Sequence, residues 1–258
     1  MAAGSAVVGF LDAGHWSACF GLSYRDLHLF DAFGQQRIAR SGRGEIRALT
    51  GSGGIPQNRN KVVRGFLNDT RGEWLLFIDT DMGFERDTLE RLIAAADPSA
   101  RPVVGGLCFA GARARTGNGA TPLYAERFKI IPTVYEYVEQ ADEIGFRPIL
   151  DYPRDQVMEV AGTGAACLLM HRSALETVRA QLGEVWFDPA QHPSALNGAP
   201  RWFSEDLSFC VRLAACGIPV HVDTSVKTTH EKGMAFLDED AFDEQLALAR
   251  LHKEMEKV

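Results

Sequence analysis

The sequence predicts an α/β fold in which helices flank a mostly parallel, Rossmann-like sheet. In the first half of the chain, short apolar runs alternate with stretches in which apolar residues recur every three or four positions, as strands and helices do in a β-α-β series. The segment Trp74–Ile78 is apolar throughout, which is typical of a strand buried on both faces of a parallel sheet. Hydrophobic residues make up 46% of the chain and charged residues 24%, as in ordinary globular proteins.

Four strands and three helices are predicted in the first half. The strands are expected at Ala6–Leu11, Glu45–Thr50, Trp74–Ile78 and Val103–Phe109. The first two helices follow the first two strands, and Pro56 suits the first turn of the second one, which should stop near Arg71 and Gly72. Their apolar faces are formed by Trp16, Phe20, Tyr24, Leu27 and Phe30, by Val62, Val63, Phe66 and Leu67, and, in the third helix, by Leu89, Leu92, Ile93 and Ala96.

The second half is less regular. Loops are predicted at 111–122 and 188–200, and a hairpin-like insertion at 124–139. An apolar strand is expected from Met158 to Met170, interrupted by Gly162-Thr163-Gly164. Helices are expected at Ser173–Leu182, from Ser204 as N-cap to Gly217, and from Asp238 onward, with strands around Val220 and Val226.

The charge balance and the cysteines limit the class of protein. The chain has 27 Lys and Arg against 34 Asp and Glu, a net charge of −7, so no global field attracts nucleic acid or an anionic membrane. The five scattered cysteines form no CxxC pair, and we expect reduced thiols in a cytoplasmic protein. The N-terminal segment has no basic stretch typical of a signal peptide, and no apolar run is long enough for a transmembrane segment.

The most informative motif is Asp79-Thr80-Asp81, directly after the buried strand. Open α/β sheets bind ligands at the carboxyl ends of their strands, and residues two apart at a strand end point the same way. Two carboxylates facing one crevice suit Mg²⁺ or Mn²⁺ bridging to a phosphate. An acidic, solvated turn is the alternative explanation of so short a motif.

Three further segments carry candidate residues with simpler alternatives beside them. Glu205 and Asp206 could supply a general base, although acids also favour the first turn of any helix. His230 follows a strand in a polar setting, where it could bind a metal or lie on the surface. Arg59 and its neighbours place positive charge near a helix start behind a glycine turn, which favours anion binding. GxGxxG, P-loop and GxSxG motifs do not occur.

The order of these motifs resembles that of family-2-like glycosyltransferases of the GT-A fold. The resemblance spans about residues 5 to 235. It consists of a glycine turn before Gln57-Asn58-Arg59-Asn60, a strand running into Asp79-Thr80-Asp81, Gly162-Thr163-Gly164, Ser204-Glu205-Asp206 and a late His230. The first strand departs from the pattern, since it ends in Gly9-Phe10-Leu11-Asp12.

The resemblance implies a role for each of these residues. Asp81 and His230 would ligate a divalent metal, Mn²⁺ or Mg²⁺, bound to the donor diphosphate, and Asp79 would contact the ribose or reach the metal. Asp206 would be the base of an inverting displacement and Glu205 would position a sugar, with retention still open. The residues expected to bind the nucleotide-sugar donor are Arg59, Asn60, Asp79, Thr80, Gly162 and Gly164.

We therefore expect a hexosyltransferase-type glycosyltransferase in one domain, residues 1–258. Residues 1–109 would form the nucleotide-binding half, and residues 110–258 the acceptor-binding half with its C-terminal helix. The expected donor is a UDP-sugar ahead of a GDP-sugar, and the acceptor, a protein, glycan, lipid or small molecule, stays open, as does assembly into a homo-oligomer. The alternatives are a nucleotidyltransferase on a related fold, disfavoured because no basic glycine-rich loop follows the first strand, and a non-catalytic nucleotide-sugar-binding protein.

Overall fold

The structure is a computed structural model. It describes residues 5–40, 44–50, 53–113, 128–140, 143–193, 200–233 and 235–255. Its helices are α1 (Ala18–Phe33), α2 (Gly54–Asp69), α3 (Thr88–Ala95), α4 (Arg172–Leu182), α5 (Glu205–Ala215) and α6 (Glu239–Met255). Its strands are β1 (Ala6–Asp12), β2 (Glu45–Leu49), β3 (Trp74–Ile78), β4 (Met82–Phe84), β5 (Val103–Leu107), β6 (Phe109–Arg113), β7 (Phe128–Pro132), β8 (Val134–Glu139), β9 (Ile144–Pro148), β10 (Val157–Val160), β11 (Gly162–Thr163), β12 (Cys167–His171), β13 (Val220–Lys232) and β14 (Ala235–Leu237).

The central sheet has the order β10-β13-β5-β12-β3-β1-β2. Strands β1, β2, β3, β5 and β13 run in one direction, while β12 lies antiparallel between β3 and β5, and β10 is antiparallel to β13. The predicted fold class, a mostly parallel sheet flanked by helices, is confirmed. The carboxyl ends of β1 and β3 meet at one edge, beside the crevice described below.

Two apolar clusters cover the two faces of this sheet. Along β3, Leu75 and Phe77 belong to the cluster under α2, α4 and α5, whereas Leu76 and Ile78 belong to the cluster under α1 and α3. All five residues of β3 are buried, as the uninterrupted apolar run predicts. The alternation follows from the two-residue period of a strand.

The elements of the first half lie where they are predicted, with small shifts at their ends. The helix expected to stop near Arg71 and Gly72 ends at Asp69, and the strand expected from Val103 to Phe109 divides into β5 and β6. Ser204 is the N-cap of α5, but its side chain makes no capping hydrogen bond. Gly217, just past α5, has φ of +69°, the left-handed conformation that its predicted role requires.

Three predictions for the second half are wrong in how the strands are paired or divided. The segment expected as a hairpin at 124–139 forms β7 and β8, which pair with β6 and β9 rather than with each other, and residues 114–127 lie outside the described residues. The strand expected from Met158 to Met170 is three strands, because β10, β11 and β12 have different partners. The strands expected around Val220 and Val226 are one strand, β13, with a register shift between Asp223 and Lys227.

Candidate active site

A crevice of about 730 Å³ lies at the carboxyl ends of β1 and β3. The residues that line it include Arg59, Asp79, Thr80 and Asp81. The other lining residues include His15, Trp16, Thr50, Ile55, Glu231 and Lys232. The volume lies in the range of small-molecule sites, and the position is the one at which open α/β sheets bind ligands.

Backbone hydrogen bonds hold the Asp79-Thr80-Asp81 turn in place. The Met82 amide donates to the Asp79 carbonyl at 3.1 Å, and the Ser17 amide at the start of α1 donates to the Thr80 carbonyl at 3.0 Å. The Glu231 amide of β13 donates to the Asp81 carbonyl at 2.8 Å. The turn is therefore tied to two elements besides its own strand, which orients its carboxylates.

Asp81 and His230 are brought together by the pairing of β4 with β13. In that antiparallel pair His230 lies opposite Met82, the residue after Asp81. The His230 Nδ1–H donates to the Phe109 carbonyl at 2.8 Å, and Nε2 lies 3.1 Å from Asp81 Oδ2. Because Nδ1 donates to a carbonyl, Nε2 is the ring nitrogen that faces Asp81, and it can bind a metal once it carries no proton.

Asp81 has a second cationic partner, the ammonium group of Lys232. Lys232 Nζ donates to Asp81 Oδ2 at 2.7 Å. Burial alone would raise the pKa of Asp81, but the hydrogen bonds from His230 and Lys232 outweigh it and lower the pKa to about 2. Asp81 is therefore a carboxylate at neutral pH.

Asp79 and Asp206 share one arginine. Arg59 Nη2 lies 3.1 Å from Asp79 Oδ2 and 3.6 Å from Asp206 Oδ1, and its Nη1 donates to the Ala165 carbonyl at 3.3 Å. The guanidinium carbon lies 5.5 Å from the centre of the Phe77 ring and 5.6 Å from that of Phe187. With its side chain only 3% exposed, Arg59 is committed to protein groups.

The two carboxylates on Arg59 have raised pKa values. For Asp79 burial is the main cause and the charges of Asp206 and Asp81 add to it, against Arg59. For Asp206 burial is again the main cause, opposed by Arg59 and by a backbone hydrogen bond from Ala165, while Glu205 raises the pKa further. Asp206 Oδ1 is buried and accepts no hydrogen bond. A carboxylate in such surroundings is a stronger base than an exposed one.

The glycines of the Gly162-Thr163-Gly164 motif serve different purposes. A Cβ on Gly162 would lie 2.7 Å from Phe146 Cε1 and 3.0 Å from Leu207 Cδ2, so this glycine permits close packing. A Cβ on Gly164 would lie 3.5 Å from Thr133 Oγ1 and 3.7 Å from Asp206 Oδ2, at ordinary contact distances. Gly164, and not Gly162, borders the Asp206 carboxylate.

Asn60 lies apart from the other predicted donor-binding residues. Its Nδ2 donates to Asp188 Oδ1 at 2.7 Å, and its Oδ1 accepts from the Phe187 amide at 2.9 Å. The side chain is buried and joins α2 to the segment before α5. By these contacts Asn60 supports the Phe187 ring that packs on Arg59.

The three predicted metal ligands, Asp79, Asp81 and His230, do not all lie together. Among the described residues, no group of three or more His, Cys, Asp or Glu side chains is placed to hold a metal ion. Asp81 and His230 converge, whereas Asp79 faces Arg59. Mg²⁺ and Mn²⁺ commonly take one or two protein ligands together with phosphate oxygens and water. Two neighbouring ligands, each about 2.1 Å from such an ion, lie about 3 Å apart. Asp81 Oδ2 and His230 Nε2 are 3.1 Å apart. The Asp81 and His230 pair fits such an ion.

The sequence does not mark Lys232 or Trp16 as residues of the crevice. Lys232 stands two residues after His230, with no motif to mark it. Trp16 is 40% exposed, and its ring is held edge-on by Phe10 at 5.5 Å and Phe20 at 5.1 Å between ring centres. The helical periodicity places Trp16 on an apolar helix face, but it precedes α1 and lines the crevice.

The fold is that of an α/β protein with a Rossmann-like sheet and a crevice at the carboxyl ends of its strands. No protein-family model matches the chain, and no curated protein matches it. Among solved structures, the chain is similar to the crystal structure of A197 from STIV, with 15% identity, 91% of each chain covered and a TM-score of 0.52. At that identity the likeness shows the fold alone. No helix within the described ranges is long and apolar enough to cross a membrane.

Proposed function

We propose that the protein is a metal-dependent glycosyltransferase that moves a sugar from a nucleoside diphosphate to an acceptor hydroxyl. The observation that carries this proposal is the position of Asp79 and Asp206 on one arginine. A donor-site carboxylate, Asp79, and a candidate base, Asp206, both lie near Nη2 of Arg59, which lines the crevice together with Asp79 and Asp81. This arrangement suits a reaction with a phosphorylated leaving group and a nucleophile that must lose a proton.

Asp81 and His230 would hold the divalent ion, Mn²⁺ or Mg²⁺, and the crevice would take the donor. When bound, the ion supplies a Lewis acid that stabilises the charge of the departing nucleoside diphosphate. Trp16, which is 40% exposed and lines the crevice, offers the donor an aromatic contact. The ion held by Asp81 and His230 would allow a chain with a net charge of −7 to bind a polyanion.

Asp206 would remove the proton from the acceptor hydroxyl. Burial raises the pKa of this carboxyl, which strengthens it as a base, while Arg59 keeps it oriented at 3.6 Å. Glu205, the first residue of α5, would position a sugar, and Gly164 leaves space next to the carboxylate. These roles correspond to an inverting displacement.

A thermal-shift panel tests the proposal. The protein is heated with a series of nucleotide sugars, a UDP-sugar first and a GDP-sugar second, with and without Mn²⁺. A donor that binds the folded state raises the melting temperature by mass action, and we expect this rise only with Mn²⁺ present. Binding without sugar transfer to any acceptor or to water would instead indicate a non-catalytic binding protein.

A further inference from the structure

One carboxylate oxygen in the crevice has two nitrogen partners. Asp81 Oδ2 accepts from Lys232 Nζ at 2.7 Å and lies 3.1 Å from His230 Nε2. Lys232 is the last residue of β13 and its side chain is 47% exposed, so the ammonium group is open to the crevice that it lines. The next residue, Gly233, has φ of +65°, a turn that glycine adopts without strain.

This arrangement sets Lys232 against any divalent ion on Asp81. An ammonium group has three donors and no lone pair, so it cannot join a metal's ligands. Beside a dication it is repelled, and it also occupies the oxygen that the ion needs. Lysine and metal are therefore alternative partners of the same carboxylate.

A displaced ammonium group has a new partner within its reach when the donor is bound. Lysine is a flexible point charge that binds phosphate oxygens well. The crevice that Lys232 lines is the one that would hold the diphosphate. The loss of the Asp81 contact would thus be offset by a contact to the ligand.

We propose that Lys232 is an exchangeable counter-ion, which neutralises Asp81 in the resting protein and moves to the diphosphate when a divalent ion binds Asp81. The inference rests on the proposed function for the identity of the ligand. Its first half concerns the protein and the metal alone, and can be measured without any donor. Removal of the ammonium group should therefore raise the affinity for Mn²⁺ and lower the affinity for uridine diphosphate.

The test compares Lys232→Met with the unchanged protein and with Lys227→Met. Lys227 lies on the same strand, but it pairs with Glu239 at 2.6 Å and with Asp155 at 3.5 Å, outside the crevice. Free Mn²⁺ is followed by electron paramagnetic resonance as Mn²⁺ alone is titrated into each protein. We expect Lys232→Met to bind Mn²⁺ about fivefold more tightly, the upper end of what a half-exposed ion pair contributes, and Lys227→Met to bind it unchanged.

The second measurement is the affinity for uridine diphosphate at saturating Mn²⁺, by calorimetry. In this measurement Lys232→Met should bind uridine diphosphate about fivefold more weakly than the unchanged protein, because a charged contact to phosphate is lost. A side chain with a merely structural role would weaken both affinities or neither. Equal thermal unfolding of the three proteins without ligand verifies that they are equally folded.

The outcomes separate this inference from the proposed function. Unchanged or weaker Mn²⁺ binding by Lys232→Met overturns the counter-ion role of Lys232, even if sugar transfer is found. Tighter Mn²⁺ binding with unchanged affinity for uridine diphosphate overturns the move to the diphosphate. Tighter Mn²⁺ binding in a protein that binds no nucleotide supports the resting contact and overturns the proposed function. Absence of Mn²⁺ binding in all three proteins overturns the counter-ion role of Lys232, and the proposed function is then decided by nucleotide binding in the presence of Mn²⁺.

Discussion

Arg59 Nη2 lies 3.6 Å from Asp206 Oδ1, across the boundary between α2 and α5. The same nitrogen lies 3.1 Å from Asp79 Oδ2. One buried guanidinium therefore joins the carboxylate at the end of β3 to the carboxylate at the start of α5. A change at Arg59 should affect both.

Removal of the Arg59 charge should destabilise the fold. Arg59→Met leaves Asp79 and Asp206 without their common partner in a largely buried setting, and we expect the free energy of unfolding to fall by about 3 kcal/mol. Urea denaturation measures it. The matched control is Arg64→Met on the same helix, whose exposed pair with Glu184 should cost less than about 1 kcal/mol. Equal losses in the two variants would contradict the role given to Arg59.

Gly162 in β11 and Gly164 directly after it should respond differently to an added methyl group. Gly162→Ala places a Cβ against Phe146 and Leu207 and should lower the free energy of unfolding by about 1 to 3 kcal/mol through overpacking. Gly164→Ala meets only ordinary contacts and should leave stability nearly unchanged, while narrowing the space beside Asp206. A thermal melt of each variant checks the first difference, and the KM for an acceptor checks the second. Equal melting temperatures would be against this division.

Asp206→Asn should separate binding from chemistry. The amide keeps the shape of the side chain but cannot take up a proton, so donor binding by calorimetry should persist while transfer falls by at least about 100-fold. Asp240→Asn, an acid in the first turn of α6 outside the crevice, is the control and should transfer normally. If Asp206→Asn lost binding and spared transfer, Asp206 would not be the base.

The pH dependence of transfer should reflect the raised pKa of Asp206. Burial and the neighbouring Glu205 favour the protonated form, against Arg59, so the working carboxylate is lost at a higher pH than for an exposed aspartate. As pH falls, kcat/KM should therefore begin to decline above the ordinary aspartate value of about 3.9. A profile that stays flat down to pH 4 would contradict the assignment.

The sequence predicts the parts of the fold that depend on local pattern. Trp74–Ile78 forms β3 as predicted, because five apolar residues between a glycine-containing turn and Asp79 leave little choice. The antiparallel insertion of β12 depends on pairing between distant segments, which no local pattern records. The three residues of β4 are too few for periodicity, although their pairing brings His230 to Asp81.

The same distinction applies to the candidate site. The Asp79-Thr80-Asp81 motif can be located from its strand alone. The setting of Arg59 cannot, because the Phe187 ring and the Asp206 carboxylate that surround it come from distant parts of the chain. A basic residue near a helix start suggests anion binding, but Arg59 is buried and its guanidinium group lies against the carboxylates of Asp79 and Asp206.

The decisive measurement is Mn²⁺-dependent release of nucleoside diphosphate from a nucleotide sugar, by the unchanged protein and by Asp81→Ala. Because Asp81 and His230 are the proposed metal ligands, release should require Mn²⁺ or Mg²⁺, stop with EDTA and be lost in Asp81→Ala. Asp240→Asn should release the diphosphate at the normal rate. Undiminished release in EDTA, or by Asp81→Ala, would contradict a metal-dependent glycosyltransferase.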